Sequence, residues 1–318
     1  MKTSTLLTAL AAVGAAISAV FAGPSGASAD LRVVATVADL GTLAREIGGS
    51  HATVTILALP TQDPHFVDAR PNLALELSRA DLLLTVGLDL EVGWLPTLQI
   101  GARNGRIQRG AQGFLDCSGL VTTLEVPSGP IERSMGDIHP GGSPHYTLDP
   151  RAMENVARGI ARRMGELDVP NAAEYRGRAD AFIGRLRAHR ARWEQTLAPL
   201  RGAPVIGYHR SWAYLASWLG VRVVEHLEPR PGIPPTPAHV ARVLAIARRD
   251  AVRLILQEAY YADRTARVIE ERSGARLVRI AGGADFAGGQ SYIQRIDQMV
   301  RALSRAWQRA ESASAATR

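Results

Sequence analysis

Cysteine is almost missing from this chain. Cys117 is the only one in 318 residues, so neither an intramolecular disulfide nor a cysteine-built zinc ribbon can form. Lysine is equally scarce: Lys2 stands alone, and the other 36 of the 37 basic residues are arginine. Past the amino terminus, no stretch approaches the roughly 20 uninterrupted apolar residues of a membrane span. What remains is an ordinary globular mixture, 46% hydrophobic and 21% charged, which excludes a largely disordered chain. The length fits two domains of roughly 150 residues each. The formal charge of +7 raises the question of nucleic acid. However, Arg162, Arg163, Arg176, Arg178, Arg185 and Arg187 read as solvated helix faces, and no arginine-and-aromatic recognition motif accompanies them. The basicity is therefore compositional, and no nucleic-acid partner is expected.

The single lysine sits where it is informative. Met1-Lys2 precedes an apolar, alanine-rich run over 6–22, and Ala27-Ser28-Ala29 forms a small-x-small cleavage pattern before Asp30. This is the layout of a secretory signal peptide over 1–29, with an earlier cut after Ala22 as the alternative. A membrane anchor fits less well, because Gly14 and Ser18 interrupt the run and no stop-transfer charges follow. With no cysteine near the cleavage site, a bacterial lipid anchor is excluded. The expectation is a soluble, exported, periplasmic protein. Cys117 is expected to be a buried small hydrophobe, as free cysteines mostly are.

From Asp30 onward, short β-branched runs alternate with amphipathic segments. Strands are expected over 31–37, 53–59, 81–87, 108–115 and 122–126, with helices over 39–47 and 73–78 between them. Such alternation indicates parallel sheets with helices on their faces. Asp149-Pro150 opens a helix to about Leu167, and a second, long helix follows and ends before Pro199. Its apolar positions Tyr175, Ala179, Phe182, Leu186, Trp193 and Leu197 recur at three- or four-residue steps with one gap, at His189 or Arg190. The alternation then restarts, with strands over 204–207, 221–225, 252–257 and 276–280 and helices over 209–219, 238–248, 263–272 and 292–308. The expected architecture is an α/β fold of two lobes joined by a long backbone helix, with the cleft between them as the binding site. The boundaries are an N-terminal lobe over 30–167, the linking helix over 168–199, a C-terminal lobe over 200–310 and a frayed polar tail over 311–318.

Eight histidines occur. Three of them fall in loops or strand ends, where ligands bind in open α/β sheets. His65 follows Gln62-Asp63-Pro64, His145 precedes Tyr146-Thr147-Leu148-Asp149-Pro150, and His209 follows Val205-Ile206-Gly207-Tyr208. Three imidazoles with one oxygen donor suit zinc or another borderline divalent ion. Long separations in sequence keep the spacing alone from specifying a site.

Asp63-Pro64-His65, the segment from Ser143 to Pro150, and Gly207-Tyr208-His209 with Trp212-Ala213-Tyr214-Leu215 resemble three signatures of one family. That family is the periplasmic zinc/manganese-binding receptors of ABC transporters. Asp168-Val169-Pro170-Asn171-Ala172-Ala173-Glu174-Tyr175 is similar to the family's entry into its long helix. The second signature departs from the usual pattern, with Ser143 in place of asparagine and Thr147 in place of tryptophan. The resemblance covers essentially the whole mature chain. It implies a monomeric receptor, not an enzyme, which delivers a divalent metal to a membrane permease. By that resemblance, His65, His145 and His209 are metal ligands. Asp63 and Asp149 either orient them or serve as plain turn and helix-cap residues. Ala281 stands where many members carry a ligand aspartate, so Glu258 is the favoured fourth ligand, with Asp285 or water as alternatives. Imidazole favours Zn2+ over Mn2+. His139 either recruits metal or is a solvated loop histidine, the reading preferred on sequence. His51, His226 and His239 have no evident partner, and His189 is expected to pack between the lobes. An exported zinc hydrolase would need a signature such as His-Glu-x-x-His, which is missing.

Overall fold

The computed structural model of the chain describes residues 30–129 and 138–316; the expected signal peptide lies outside them. Two parallel sheets form, each of four strands. The first contains β1 (Leu31–Ala35), β2 (Ala52–Ile56), β3 (Leu82–Thr85) and β4 (Phe114–Asp116) in the order β2-β1-β3-β4. The second contains β5 (Pro204–Gly207), β6 (Arg222–His226), β7 (Leu254–Glu258) and β8 (Arg276–Ile280) in the order β6-β5-β7-β8. In both sheets the chain moves first to one side of the founding strand and then to the other. The reversal opens a crevice at the strands' carboxyl ends, beside β1 and β3 in one sheet and β5 and β7 in the other.

Helices cover the sheets: α1 (Ala38–Gly48), α2 (Pro71–Arg79), α3 (Leu95–Ala102) and α4 (Pro150–Leu167) in the first half, with α6 (Ala213–Leu219), α7 (Pro237–Arg249), α8 (Arg264–Ser273) and α9 (Tyr292–Ala316) in the second. Between the halves runs α5 (Ala172–Thr196), 25 residues or about 38 Å long. Its amino-terminal half reaches the first lobe, where the Arg178 guanidinium donates to the Gly48 carbonyl at 2.9 Å. Its carboxyl half reaches the second, where the Trp193 indole donates to Asp297 at 3.0 Å and meets Trp218 edge-on. One apolar core runs without interruption from Leu31 and Leu84 through Phe182 and Leu186 to Leu256 and Trp307. Two smaller clusters fill the outer faces of the sheets. Among the described residues no helix is long and apolar enough to cross a membrane.

Several expected elements differ. The β-branched run over 122–126 forms no strand. Its polar groups are met across the lobes, the Leu124 amide donating to the Tyr214 hydroxyl, which donates to the Thr122 carbonyl. The strand expected over 108–115 shrinks to β4, after a turn in which Gly113 is pressed against the Asp81 and Arg106 carbonyls. The helix expected from His209 begins only at Ala213. Helix α3 lies in a stretch for which no element is expected. The segment expected to fray beyond 310 is helical to Ala316.

Candidate metal centre

His65 leaves the loop after β2 in an Asx turn. Asp63 Oδ1 accepts from the His65 amide at 3.0 Å and from its ring Nδ1 at 2.6 Å. The other Asp63 oxygen accepts the Tyr261 hydroxyl at 3.0 Å, so a residue that follows β7 holds the support of a histidine in the opposite lobe. Against the cost of burial, these bonds keep the Asp63 carboxyl below its ordinary range.

His209 follows β5 at the crevice of the second sheet. Gly207, just before it, must lack a side chain, because a Cβ there would sit 2.4 Å from the Trp212 ring. The neighbouring strand brings Glu228 alongside: in the β5–β6 register Gly207 faces His226, and two residues on, Glu228 Oε2 accepts a hydrogen bond from His209 Nδ1 at 2.7 Å. Burial lowers the His209 pKa, but Glu228 and the charge of Glu258 outweigh it and raise the net value.

His145 enters from the loop before α4. Its Nε2 is buried and has no hydrogen-bond partner. Burial, together with the three neighbouring imidazoles, holds its pKa well below the ordinary histidine value. The three rings converge, with centroids 5.3 Å apart for His65–His145, 5.2 Å for His65–His209 and 5.6 Å for His145–His209. One nitrogen from each lies within 4.8 Å of the others. A buried polar atom without a partner costs about 1–3 kcal/mol, so the His145 nitrogen is placed for something that accepts its lone pair.

The remaining expected residues separate clearly. Glu258 ends β7 and is buried at 5% exposure, with neither carboxylate oxygen hydrogen-bonded. Burial pushes its pKa up, opposed chiefly by the charge of His209. It is not part of the mutually close set of donors. Asp149 does not support His145: it caps α4 by accepting from the Arg151 amide and pairs with the Arg151 guanidinium. Asp285 is exposed and closes its own turn by accepting from the Gly288 amide.

His139 is not a solvated loop residue. Its Nε2 lies 3.2 Å from His65 Nε2, and burial with the nearby imidazoles lowers its pKa to about 4. His51 pairs with Glu174, His239 donates to the His226 carbonyl, and His189 packs on Trp193. Cys117 is fully buried, which pushes its thiol well up.

Residues 33–306 match the family described as zinc-uptake complex component A, periplasmic, or ZnuA. The chain belongs to that family. This ZnuA-family chain is 22% identical over 292 residues to the iron-binding protein YfeA of Yersinia pestis, spanning 89% of this chain and 88% of that one. It is 30% identical over 191 residues to the manganese ABC transporter substrate-binding lipoprotein ScaA of Streptococcus gordonii, spanning 58% and 57%. A crystal structure of ZnuA shares its fold with a TM-score of 0.72 at 22% identity, over 87% of this chain and 98% of that chain. The ZnuA family thus groups metal-binding substrate-binding proteins of ABC transporters, whose members are named for zinc, manganese and iron.

Proposed function

We propose that this ZnuA-family chain is a periplasmic receptor that captures Zn2+ through His65, His145 and His209 and delivers it to an ABC-transporter permease. The convergence of three imidazole nitrogens within 4.8 Å carries the reading. Carboxylates already fix the Nδ1 proton on two of these rings, leaving each Nε2 lone pair free for a metal. Three imidazoles leave a tetrahedral ion one donor short, and Glu258 and His139 are the two side chains at hand. The receptor is monomeric and not an enzyme, with residues 1–29 removed as a signal peptide on export. The lobes divide at 30–167 and 200–310 about the linking helix of 168–199. His209 comes from one lobe and His65 and His145 from the other, so a bound ion ties the two together. That gives the permease a difference to read between loaded and empty receptor.

The test is calorimetric titration of zinc into the chain and its His209→Ala variant. Removal of one of three ligands is expected to weaken binding by at least a hundredfold, with circular dichroism of the metal-free variant checking that the fold survives loss of the partner of Glu228. Unchanged affinity would remove His209 from the site. A manganese receptor is the second reading, favoured by the buried, unpartnered carboxylate of Glu258, because Mn2+ prefers oxygen donors. Competition between the two ions for the wild-type site separates them.

A further inference from the structure

The cluster of imidazoles at the cleft holds a fourth ring, His139, packed against His65 and His145. Because the Asp63 carboxylate can only accept, His65 Nδ1 carries the proton and its Nε2 carries a lone pair. The His139 Nε2 faces His65 Nε2, and the two rings pack with centroids 5.3 Å apart. At 3.2 Å the two nitrogens are close enough to share one positive charge between them, a proton in the metal-free chain or a metal ion in the loaded one. In a tetrahedral zinc site with Zn–N bonds of about 2.0–2.1 Å, the edge between two nitrogens is about 3.3 Å. The observed separation is that edge.

The backbone around His139 is shaped for this approach. Gly87, Leu88 and Asp89 are consecutive residues with φ of 80°, 53° and 61°. For Leu88 this left-handed conformation costs roughly 1–2 kcal/mol, whereas Gly87 and Asp89 tolerate it better. Buried Glu91 holds the turn, accepting from the Val86 amide at 2.7 Å and the Gly87 amide at 3.1 Å. The turn lies just past the end of β3, beside the crevice. On the other side, Gly141 lets the loop of His139 close onto it, since a Cβ there would meet the Leu88 side chain at 2.8 Å. Strain of this kind collects at functional sites.

Resting on the receptor reading above, we infer that His139 is the fourth ligand of the bound ion, completing an all-nitrogen sphere with His65, His145 and His209. His139 touches the cluster through His65 and lies outside the set of three mutually close nitrogens, so binding draws it inward by rotation of its side chain. Glu258 then stays uncoordinated, a buried negative charge that offsets the dication from the second lobe. Four imidazoles favour zinc and give little to manganese, so His139 sets the choice of ion.

X-ray absorption at the zinc edge, on the zinc-loaded full chain, counts the imidazoles directly. Wild type is expected to show four nitrogens and no carboxylate oxygen. His139→Gln and His139→Ala are expected to show three imidazoles and one oxygen, with zinc affinity down at least tenfold and the zinc-to-manganese preference down by a similar factor. Glu258→Gln is expected to leave the count at four. Three imidazoles in wild type, unchanged in both His139 variants, would overturn the inference. Loss of an oxygen ligand in Glu258→Gln would overturn it in favour of the carboxylate. Either result leaves the receptor reading intact, whereas a wild-type chain that holds no zinc would overturn both.

Discussion

Glu228 offers the sharpest test of how the site is organised, because it is proposed to act on the metal only through His209. The residue is 8% exposed, and its Oε2 accepts from His209 Nδ1 at 2.7 Å and from the Gly232 amide at 3.3 Å. Glu228→Ala frees the imidazole to turn and to exchange tautomers, and it leaves a buried Nδ1 unsatisfied. Loss of such an outer partner weakens metal affinity by roughly 10–100-fold, or about 1.4–2.7 kcal/mol. The alanine variant belongs near the upper end, since no other acceptor reaches Nδ1 among the described contacts. Glu228→Gln belongs near the lower end: its amide oxygen can accept from both His209 and Gly232, so only the charge is lost. Displacement calorimetry against a chelator of known affinity reads the order wild type, glutamine, alanine. Thermal unfolding of the metal-free proteins controls for damage to the fold. An alanine variant within twofold of wild type, or a glutamine variant weaker than alanine, would refute the reasoning.

Two further predictions concern the frame of the cleft. Asp39 in α1 and Arg295 in α9 form an ion pair of 3.0 Å at 2% and 4% side-chain exposure, so Asp39→Ala strands a buried guanidinium. A loss of about 3–5 kcal/mol in denaturant unfolding is expected, much of it recovered when Arg295→Met is added; a loss under 0.5 kcal/mol would show the pair to be hydrated. Burial raises the Glu91 carboxyl from 4.5 to about 7, against hydrogen bonds from Thr36, Val86 and Gly87. Between those values the unfolded chain holds fewer protons than the folded one, so stability is full below about pH 4.5 and falls as pH rises toward 7. The slope is on the order of 1 kcal/mol per pH unit. Glu91→Gln is expected to flatten this portion of the stability profile, and an unchanged slope would assign it to another group.

Hydrophobic period and capping residues made most of this architecture readable from the sequence. β5 and β8 fall on the expected residues, and α4 and α7 within a residue or two, because apolar runs and Pro or Asp starts are local signals. The run over 122–126 has strand composition but lies between lobes, where a tyrosine hydroxyl replaces a neighbouring strand; no local pattern carries that information. The three histidines were legible because motifs surround them. Glu228 was not. It lies 19 residues from His209, and only the pairing of β5 with β6 brings the two together. A carboxylate just past the strand after His209 was the available signal, but its use required the sheet order. His139 is hidden for a similar reason: its glycine-rich loop reads as solvated, whereas the structure packs its ring against His65. Asp149 goes the other way: of the two roles its position allows, support for His145 or a helix cap, the structure shows the cap, accepting from the Arg151 amide.

The uninterrupted core that passes through α5 has a consequence for how the molecule comes apart. Neither half has a complete interior of its own: Phe182, Leu186 and Trp193 are shared walls, and splitting the chain at the long helix would expose apolar surface on both pieces. The two halves should therefore melt together as one cooperative unit, with their slowest-exchanging amides reporting the same global opening. Ligand energy at the cleft then acts on that whole unit. By mass action, an ion held at a hundred times its dissociation constant adds about 2.7 kcal/mol against unfolding, and the gain is felt as far away as the helices farthest from the histidines.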